Sequence, residues 1–370
     1  MNHLIQPRID KQKAFFDRKE KGDLLLYINR NGRGIPQTGN YFYNLLANKE
    51  VAELLKKETI EEITLNYINL LRCSLFSFYL LDDDILPAMT DVMFHIGAMT
   101  SAMTCGKVVF VSQTGWCKEH INWGEIDKLN FNPENPWIKF ALRFYQALWK
   151  FWDEDFFIGG YWYQSPLDAA WAIVGSSIFE KMYTQPKKVE KLVNWCCDWN
   201  ISMENFLRDN VESVSGYKGI AGTLVPEGAV FINGDPIDLI SPDFAKVFDL
   251  PYSSKLFTNI GGGFYHHHSI GLYQVPVVSQ IEGISVHHIE NDYPATPDMT
   301  KVIIEDEKIR EQVIKASFAT PIYLDRIPYK YIDRFLPVLK EGRFIIAVVC
   351  EDPSDAKECI NKIKNINNLK

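Results

Sequence analysis

The chain has 370 residues, of which 46% are hydrophobic and 13% aromatic, so it can bury a large core as one barrel or two ordinary domains. Its net charge of −8 argues against sequence-independent nucleic-acid binding, which needs a basic surface. No apolar run approaches the roughly 20 residues of a membrane span, and the N-terminal stretch lacks the apolar core of a secretory signal. These features predict a cytoplasmic protein with no nucleic-acid or membrane partner.

The seven cysteines are odd in number and scattered, and no two of them form a C-x-x-C pair. This usage indicates neither a disulfide framework nor a zinc knuckle. We therefore expect most of them to be reduced residues of the core.

The first twenty or so residues are rich in charge and have a helical pattern. They are followed by an apolar run at 24–28 that predicts a short buried strand. Arg30 and Arg33 come just after this strand on a glycine-containing turn. Guanidinium groups in that position suit the binding of carboxylates or phosphates. A solvated turn without a ligand is the alternative.

The next segments alternate between helix and strand. Residues 48–72 have helical spacing, residues 74–81 predict a second strand, and residues 156–163 predict a third. Asp84 belongs to a run of three aspartates that follows the second strand directly. Adjacent carboxylates repel one another, so they should face water unless a ligand is near, or one of them caps a helix.

The second half of the chain alternates plainly, and no linker divides it, so we predict one domain over residues 1–370. Together with the first three, the strands number eight and lie near residues 24, 75, 156, 219, 257, 284, 319 and 343. This alternation implies parallel pairing, and eight units predict a (β/α)8 TIM barrel with an N-terminal helical extension. A doubly wound open sheet is the alternative, but no dinucleotide glycine fingerprint follows the first strand.

The stretch from Phe257 to Gly271 combines three consecutive glycines at 261–263 with three consecutive histidines. Glycine permits positive φ and close backbone approach. Because strand side chains alternate, His266 and His268 should share one face while His267 points the other way. Two imidazoles could then meet in one site, whereas the alternative is that they are hydrogen-bonded packing residues.

Polar residues recur at or just beyond the carboxyl ends of the predicted strands, where a barrel has its active site. In a barrel these ends converge on one mouth. The residues concerned are Arg30, Arg33, Asp84, His266, His268, Glu290 and Cys350.

Several stretches resemble the uroporphyrinogen decarboxylase superfamily, which also contains corrinoid-linked methyltransferases and is related to cobalamin-independent methionine synthase. LLYINRNGRGIP is similar to the N-terminal arginine motif of that family, and DDDILP to its aspartate motif. The more specific matches are SPLDAAWAIVGSSIFEKMYTQPKKVEKLV to the mid-chain helix pair and SPDFAKVFDLPYSSKLF with HSIG to the fifth-strand region.

The resemblance implies a decarboxylase-like enzyme that acts on a polycarboxylated substrate such as a tetrapyrrole, without a cofactor. Arg30 and Arg33 would bind substrate carboxylates, and Asp84 would hold pyrrole N–H groups. His268 joins these three as a catalytic candidate. The candidates for substrate binding are His266, Tyr163 and Trp171. Two features depart from the family: the arginines are one residue closer together, and the family's mid-chain tyrosine falls near Trp171 or Ala172.

The methyltransferase branch of the family carries zinc on a His-x-Cys-Gly motif and a cysteine after the last strand. Here His268 and Cys350 match the first and last ligands, but Ile270 stands where the middle cysteine should be. Glu290 lies where the methionine-synthase relatives have a glutamate ligand. A zinc site of His268, Glu290 and Cys350, assisted by His266, is therefore one hypothesis. A metal-free pocket with His268 as an acid, base or binding group is the other.

Three hypotheses follow for the function of the chain. It is a decarboxylase-like lyase, a zinc-dependent methyltransferase that uses a corrinoid or a thiol, or a barrel that binds a small molecule without turnover. Arginine-dominated polarity at the mouth would favour the first, and a bound metal would favour the second. Monomer and homodimer both stay open.

Overall fold

The protein is described by a computed structural model that covers residues 5–29, 45, 50–78, 81–86, 88–89, 100, 103–104, 108–111, 114–117, 120–152, 157–211, 217–226 and 228–367. The strands in these ranges are β1 (Leu24–Asn29), β2 (Ala88–Met89), β3 (Val108–Val111), β4 (Thr114–Cys117), β5 (Phe157–Ile158), β6 (Trp162–Gln164), β7 (Tyr217–Ile220), β8 (Thr223–Pro226), β9 (Val230–Asn233), β10 (Gly263–His268), β11 (Ile284–Glu290), β12 (Ile322–Pro328) and β13 (Phe344–Val349).

The α-helices in the same ranges are α1 (Gln6–Asp17), α2 (Val51–Leu54), α3 (Lys57–Phe78), α4 (Pro136–Phe151), α5 (Pro166–Val174), α6 (Ser177–Thr184), α7 (Pro186–Asn210), α8 (Pro242–Phe248), α9 (Leu250–Ile260), α10 (Val275–Val278), α11 (Met299–Glu305), α12 (Glu307–Ala319), α13 (Ile332–Glu341) and α14 (Pro353–Asn367). Short 3₁₀ turns cover Ile126–Lys128, Asp235–Leu239, Ser269–Gln274 and Tyr329–Tyr331.

Seven strands form one parallel sheet in the order β1, β13, β12, β11, β10, β9, β6. Helices follow most of these strands, as the alternation predicts, because a parallel neighbour can be reached only by a crossover. The α/β fold class with a barrel-like parallel sheet is therefore confirmed.

The two ends of this sheet are bridged by short segments. The backbone N–H of Ile28 in β1 donates to Asp83 Oδ2 at 2.8 Å, and the backbone N–H of Asp84 donates to the carbonyl of Leu26, so residues 83–84 run along the outer edge of β1. The chain then enters β2, which pairs in parallel with β5, and β5 leads into β6. Within the described residues, no ladder pairs β1 with β6, so the seven-stranded sheet is not closed into a barrel by an eighth strand.

The inside of the ring is filled by alternate residues of the strands. They form one buried cluster with Phe15 of α1 and with Ile220 and Val225 of the β7–β8 hairpin. The cluster contains Leu25, Tyr27, Ala229, Phe231, Phe264, Val286, Tyr323, Ile345 and Ala347. The opposite faces of the strands pack against the helices in two larger clusters. This alternation decides which polar side chains reach the mouth.

Three segments differ from the sequence-based expectation. Residues 74–78 continue α3, so the strand predicted at 74–81 is wrong, because an apolar run of that length suits either element. Residues 219–225 lie in the antiparallel β7–β8 hairpin, and the parallel strand is β9, which is too short to stand out. The strand predicted at 156–163 is divided in two, because residues 157–158 form β5 and residues 162–164 form β6.

The glycines before β10 have the positive φ expected of them, and α5 begins with a capped turn. Gly261 ends α9 in the left-handed region at φ 101°, and Gly262 follows at φ 136°. Strand β10 therefore starts at Gly263, and the preceding part of the predicted strand is helix. At α5, the Ser165 hydroxyl accepts the Asp168 N–H at 3.1 Å and Pro166 takes the first helical position.

Candidate active site at the carboxyl ends of the strands

The end of β10 places two histidines inside the barrel and one outside it. The rings of His266 and His268 lie on the same face with centroids 4.9 Å apart, as strand alternation predicts. His267 is fully buried on the opposite face, towards the helices. The phase of this strand therefore brings His266 and His268 to the mouth.

His266 is paired with a histidine that the sequence analysis did not select. Its Nδ1 lies 2.7 Å from Nδ1 of His288, its neighbour in the register of β10 and β11. Such a bond needs one protonated and one unprotonated nitrogen, so the two rings have complementary tautomers. The second nitrogen of His266, Nε2, lies 4.0 Å from Glu290 Oε2. The pair fixes His266 with Nε2 turned away from His288.

His268 lies between two carboxylates. Its Nδ1 is 2.8 Å from Asp292 Oδ1, and its Nε2 is 3.5 Å from Asp235 Oδ1. Burial by itself lowers the pKa of His268, but the two carboxylates outweigh it and raise the pKa to about 10. Without another cation at this point, His268 is a protonated imidazolium at neutral pH.

The surrounding carboxylates make the described part of the mouth acidic. Burial, followed by the charge of Asp235, raises the pKa of Asp168. Burial also raises the pKa of Glu290, although Arg326 acts against it from 2.7 Å. Asp325 of β12 lies opposite Glu290 of β11 in the pairing of these strands. We call Asp168, Asp235, His266, His268, His288, Glu290, Asp292, Asp325 and Arg326 the mouth cluster.

A second histidine pair lies on the helix side of the same strands. His267 Nε2 is 2.7 Å from His287 Nε2, and His267 Nδ1 is 2.9 Å from Asp238 Oδ1. The other oxygen of Asp238 accepts the backbone N–H of His268 at 2.8 Å. Burial, with the nearby His267 and His288, lowers the pKa of His287 well below its ordinary value, so this ring is neutral. The outer pair thus anchors the strand end that carries the inner one.

Among the predicted catalytic residues, the structure brings His268 to the mouth together with His266. Arg30 and Arg33 lie outside the described residues. Asp84 is committed elsewhere: its carboxylate accepts the backbone N–H of Leu26 at 2.8 Å and pairs with Lys11 at 2.7 Å. It is not in contact with the histidines, and we therefore drop it from the site.

Two predicted substrate-binding residues face the helix layer. The hydroxyl of Tyr163 donates to Glu204 Oε2 on α7 at 2.9 Å, and the residue is 1% exposed. Trp171 lies in α5 and packs against Phe179 with ring centroids 5.7 Å apart. Because side chains of β6 alternate, the inward position belongs to Trp162, which stacks on Phe231 at 3.8 Å. The assignment of Tyr163 and Trp171 to substrate binding is corrected accordingly.

The predicted zinc set of His268, Glu290 and Cys350 does not converge. Cys350 is 1% exposed and belongs to the cluster between β13 and the helices, where its thiol contacts that of Cys359 on α14. It has the phase of Ile346 and Val348, which face outward. Glu290 is held by Arg326. Cys350 is thus excluded as a ligand beside His268.

The sequence analysis missed Asp235, His288, Asp292 and Asp325. Asp235 and Asp292 follow parallel strands, while His288 and Asp325 lie within them. Because β9 was not recognised, Asp235 had no predicted strand end to mark it. The motif HHIEND at 287–292 carried a signal for His288 and Asp292, since its histidine and carboxylates sit at a predicted strand end.

Within the described residues, the side chains that could hold a metal ion together are Asp235, His266 and His268, whose ligand atoms all lie within 4.8 Å of one another.

The fold and the position of this cluster define a parallel α/β barrel-like protein with a polar site at the carboxyl ends of its strands. Among solved structures, the chain is similar to a methyltransferase from Methanosarcina mazei, with a TM-score of 0.59 and 11% sequence identity over 99% of each chain. At that identity the similarity shows the fold alone. No protein-family profile and no curated protein sequence matches the chain. Across the described residues, the helices are too short or too polar to cross a membrane.

Proposed function

We propose that the chain is a methyltransferase that moves a methyl group from a methylated corrinoid to a small thiol at the mouth cluster. The observation that carries this proposal is the charge of the cluster. Among the residues that the structure describes, the cluster has five carboxyl groups, those of Asp168, Asp235, Glu290, Asp292 and Asp325, although burial raises the pKa of Asp168 and Glu290. Against them stand two cations, the guanidinium of Arg326, which is paired with Glu290, and the imidazolium of His268, which lies between Asp235 and Asp292.

An acidic mouth suits methyl transfer better than decarboxylation of a polycarboxylate. A substrate with several carboxylates would be repelled by this cluster, since like charges at about 4 Å cost about 4 kcal/mol at an effective dielectric constant of 20. A methyl group, in contrast, carries partial positive charge while it passes between two nucleophiles. Fixed carboxylates stabilise such charge without reorganising during the reaction. The shared fold with a methyltransferase supports the same choice.

The reaction balances without an external oxidant or reductant. The thiol gives its proton to a carboxylate of the mouth, and the sulfur lone pair forms a bond to the methyl carbon. The cobalt–carbon bond breaks with both electrons left on cobalt, which changes from Co(III) to Co(I). The products are a methyl thioether and the demethylated corrinoid. The protein's task is to bring the two reactants together and to hold the charge.

The test uses the full chain with methylcobalamin and a panel of small thiols that includes 2-mercaptoethanol and homocysteine. We expect thiol-dependent loss of methylcobalamin absorbance and a methyl thioether by mass spectrometry. Asp325→Asn should lower kcat/KM at least tenfold, because it removes a mouth charge. The matched control is Asp243→Asn, whose side chain is 92% exposed and lies on α8. Release of CO₂ from uroporphyrinogen, with no thioether from any thiol, would contradict the proposal and restore the decarboxylase hypothesis.

A further inference from the structure

We infer that a pocket beyond the carboxyl ends of β11, β12 and β13 binds a free amino acid with an apolar side chain, in its zwitterionic form. The pocket has a volume of about 470 Å³, within the range of small-ligand sites. Its charged lining residues are Arg326, Lys330, Glu351 and Asp355, and we call it the rim pocket. It adjoins the mouth cluster through Arg326, but the inference does not depend on the reaction proposed for that cluster.

The first observation is that opposite charges line the rim pocket without pairing. Arg326 lies in β12 and Lys330 in the turn after it, whereas Glu351 follows β13 and Asp355 lies in the first turn of α14. In the described part of the chain, no salt bridge joins the two cations to the two carboxylates. The pocket therefore keeps a positive wall apart from a negative one. Such a space suits a ligand that carries both charges itself.

The second observation is that Arg326 has guanidinium nitrogens that the described protein does not use. Its Nη1 lies 2.7 Å from Glu290 Oε1, while Nε and Nη2 have no hydrogen-bond partner among the described residues. A guanidinium group can bind a carboxylate through two parallel N–H groups. Arg326 can thus hold Glu290 with one nitrogen and the carboxylate of a ligand with the other two.

The third observation is the backbone that presents Arg326. Between Leu324 and Ile327, β12 has one more residue than its partner β13, which is a β-bulge. Arg326 has φ 56°, which is uncommon for a residue with a side chain. Its N–H donates to Asp325 Oδ1 at 2.7 Å, and its carbonyl accepts from the buried Asn291 side chain at 3.2 Å. Strained residues that are held in this way cluster at binding sites, where a bulge re-aims a side chain.

Lys330 adds to the positive wall. Its Nζ lies 5.6 Å from the ring centroid of Tyr293 and 5.0 Å from that of Tyr331. These contacts hold the ammonium group by the electrons of the rings. No carboxylate of a described residue forms a salt bridge with it, so its charge is available to the carboxylate of a ligand.

Apolar surfaces lie between the charged walls. Tyr293 is 54% exposed and Val349 is 37% exposed, and Pro328 and Tyr329 line the same space. Covering these surfaces with an apolar side chain removes apolar area from water, which is favourable. The rim pocket should therefore prefer leucine or phenylalanine to glycine.

The experiment is isothermal titration calorimetry of the full chain with three probes that share a phenyl group. L-Phenylalanine carries both charges, 3-phenylpropanoate lacks the ammonium group, and 2-phenylethylamine lacks the carboxylate. We expect L-phenylalanine to bind at one site, about tenfold or more tightly than either analogue, because hydrogen bonds to charged groups are the strong ones. L-Leucine should bind as well, and glycine should bind more weakly than both.

Two variants test the two walls separately. Arg326→Gln should weaken the binding of L-phenylalanine and 3-phenylpropanoate about tenfold or more, without weakening that of 2-phenylethylamine. The double variant Glu351→Gln, Asp355→Asn should weaken the binding of L-phenylalanine to the same degree and leave that of 3-phenylpropanoate unchanged. The matched control is Arg334→Gln, since the side chain of Arg334 on α13 is 55% exposed, as is that of Arg326.

The double variant keeps the inference open to refutation if Arg326→Gln fails to fold through loss of its pair with Glu290. No heat of binding from L-phenylalanine and L-leucine at millimolar concentration would overturn the inference. Equal affinity for L-phenylalanine and 3-phenylpropanoate would also overturn it, because the pocket would then recognise an anion only. Unchanged affinity of the double variant for L-phenylalanine would do the same. These measurements use no methylcobalamin, so their result is separate from that of the methyl-transfer test.

Discussion

The carboxylate of Asp84 accepts the backbone N–H of Leu26 at 2.8 Å, while the backbone N–H of Asp84 donates to the carbonyl of Leu26 at the same distance. This two-way contact covers the edge of β1 that faces away from β13. Beside it, the carboxylate of Asp83 accepts the N–H of Ile28. Two side chains thus serve in place of a strand partner, since an unpaired edge would leave buried N–H groups unsatisfied.

This contact predicts that Asp84 matters for stability and not for chemistry. Asp84→Ala should lower the free energy of unfolding by about 2 kcal/mol, because the N–H of Leu26 loses its acceptor in a buried setting. Asp84→Asn keeps an acceptor oxygen and should cost less. Urea denaturation measures the free energy of unfolding of each variant. Thiol methylation per folded molecule measures whether the chemistry is changed. A large fall in kcat with unchanged stability would return Asp84 to the catalytic residues.

Tyr163 provides a similar test of the second corrected assignment. Tyr163→Phe removes the hydroxyl that donates to Glu204, whose side chain is 3% exposed, and should lower the free energy of unfolding by about 2 kcal/mol. The matched control is Tyr183→Phe, since Tyr183 is 74% exposed. The KM for either substrate should not change. A raised KM at unchanged stability would show that Tyr163 binds substrate after all.

The backbone at the start of β10 gives a third prediction. Gly262 has φ 136°, and a Cβ added there would lie 2.9 Å from Ser285 Oγ, so Gly262→Ala should lower the free energy of unfolding by about 1 to 3 kcal/mol. Gly124→Ala is the control, because its nearest neighbour to a Cβ is 4.0 Å away and its φ is ordinary. Thermal unfolding of both variants decides the matter. Equal melting temperatures would mean that the strand tolerates a side chain at residue 262.

Asp249 gives a prediction about pH. Burial raises the pKa of this carboxyl to about 6, although hydrogen bonds from Tyr265, Ser165 and Ser253 act to lower it. Below about pH 4 the carboxyl group is protonated in both the folded and the unfolded chain, so its contribution to the free energy of unfolding is fully present. As the pH rises towards 6, the unfolded chain releases its proton while the folded protein keeps it, so stability is lost.

The variant Asp249→Asn should remove this loss. Its free energy of unfolding relative to the unchanged protein should rise by about 2 to 3 kcal/mol between pH 4 and pH 7, since each unit of pKa shift corresponds to about 1.4 kcal/mol. Urea denaturation at several pH values measures the difference. Asp243→Asn, on the surface of α8, should give a curve parallel to that of the unchanged protein. If the curve of Asp249→Asn is also parallel to that of the unchanged protein, the pKa of Asp249 is not raised and the prediction is wrong.

The sequence by itself determined the fold class, most helices and the residues at the end of β10. These depend on local signals, namely strand–helix alternation and the glycines that end α9 and set the phase of β10. Once the phase is set, alternation places His266 and His268 together without further information. It could not separate helix from strand at 74–78, because a short apolar run has no decisive period.

Only the tertiary structure decided which side chains share the mouth. Asp235 follows a strand of four residues that carries little signal, and it meets His268 only because β9 and β10 are neighbours. Cys350 and Tyr163 sit at strand ends as predicted, but a shift of one residue in strand phase turns a side chain from the barrel interior to the helix layer. The carboxylate of Asp84 likewise binds the unpaired edge of β1, 58 residues earlier in the chain. No local sequence pattern predicts a contact over that distance.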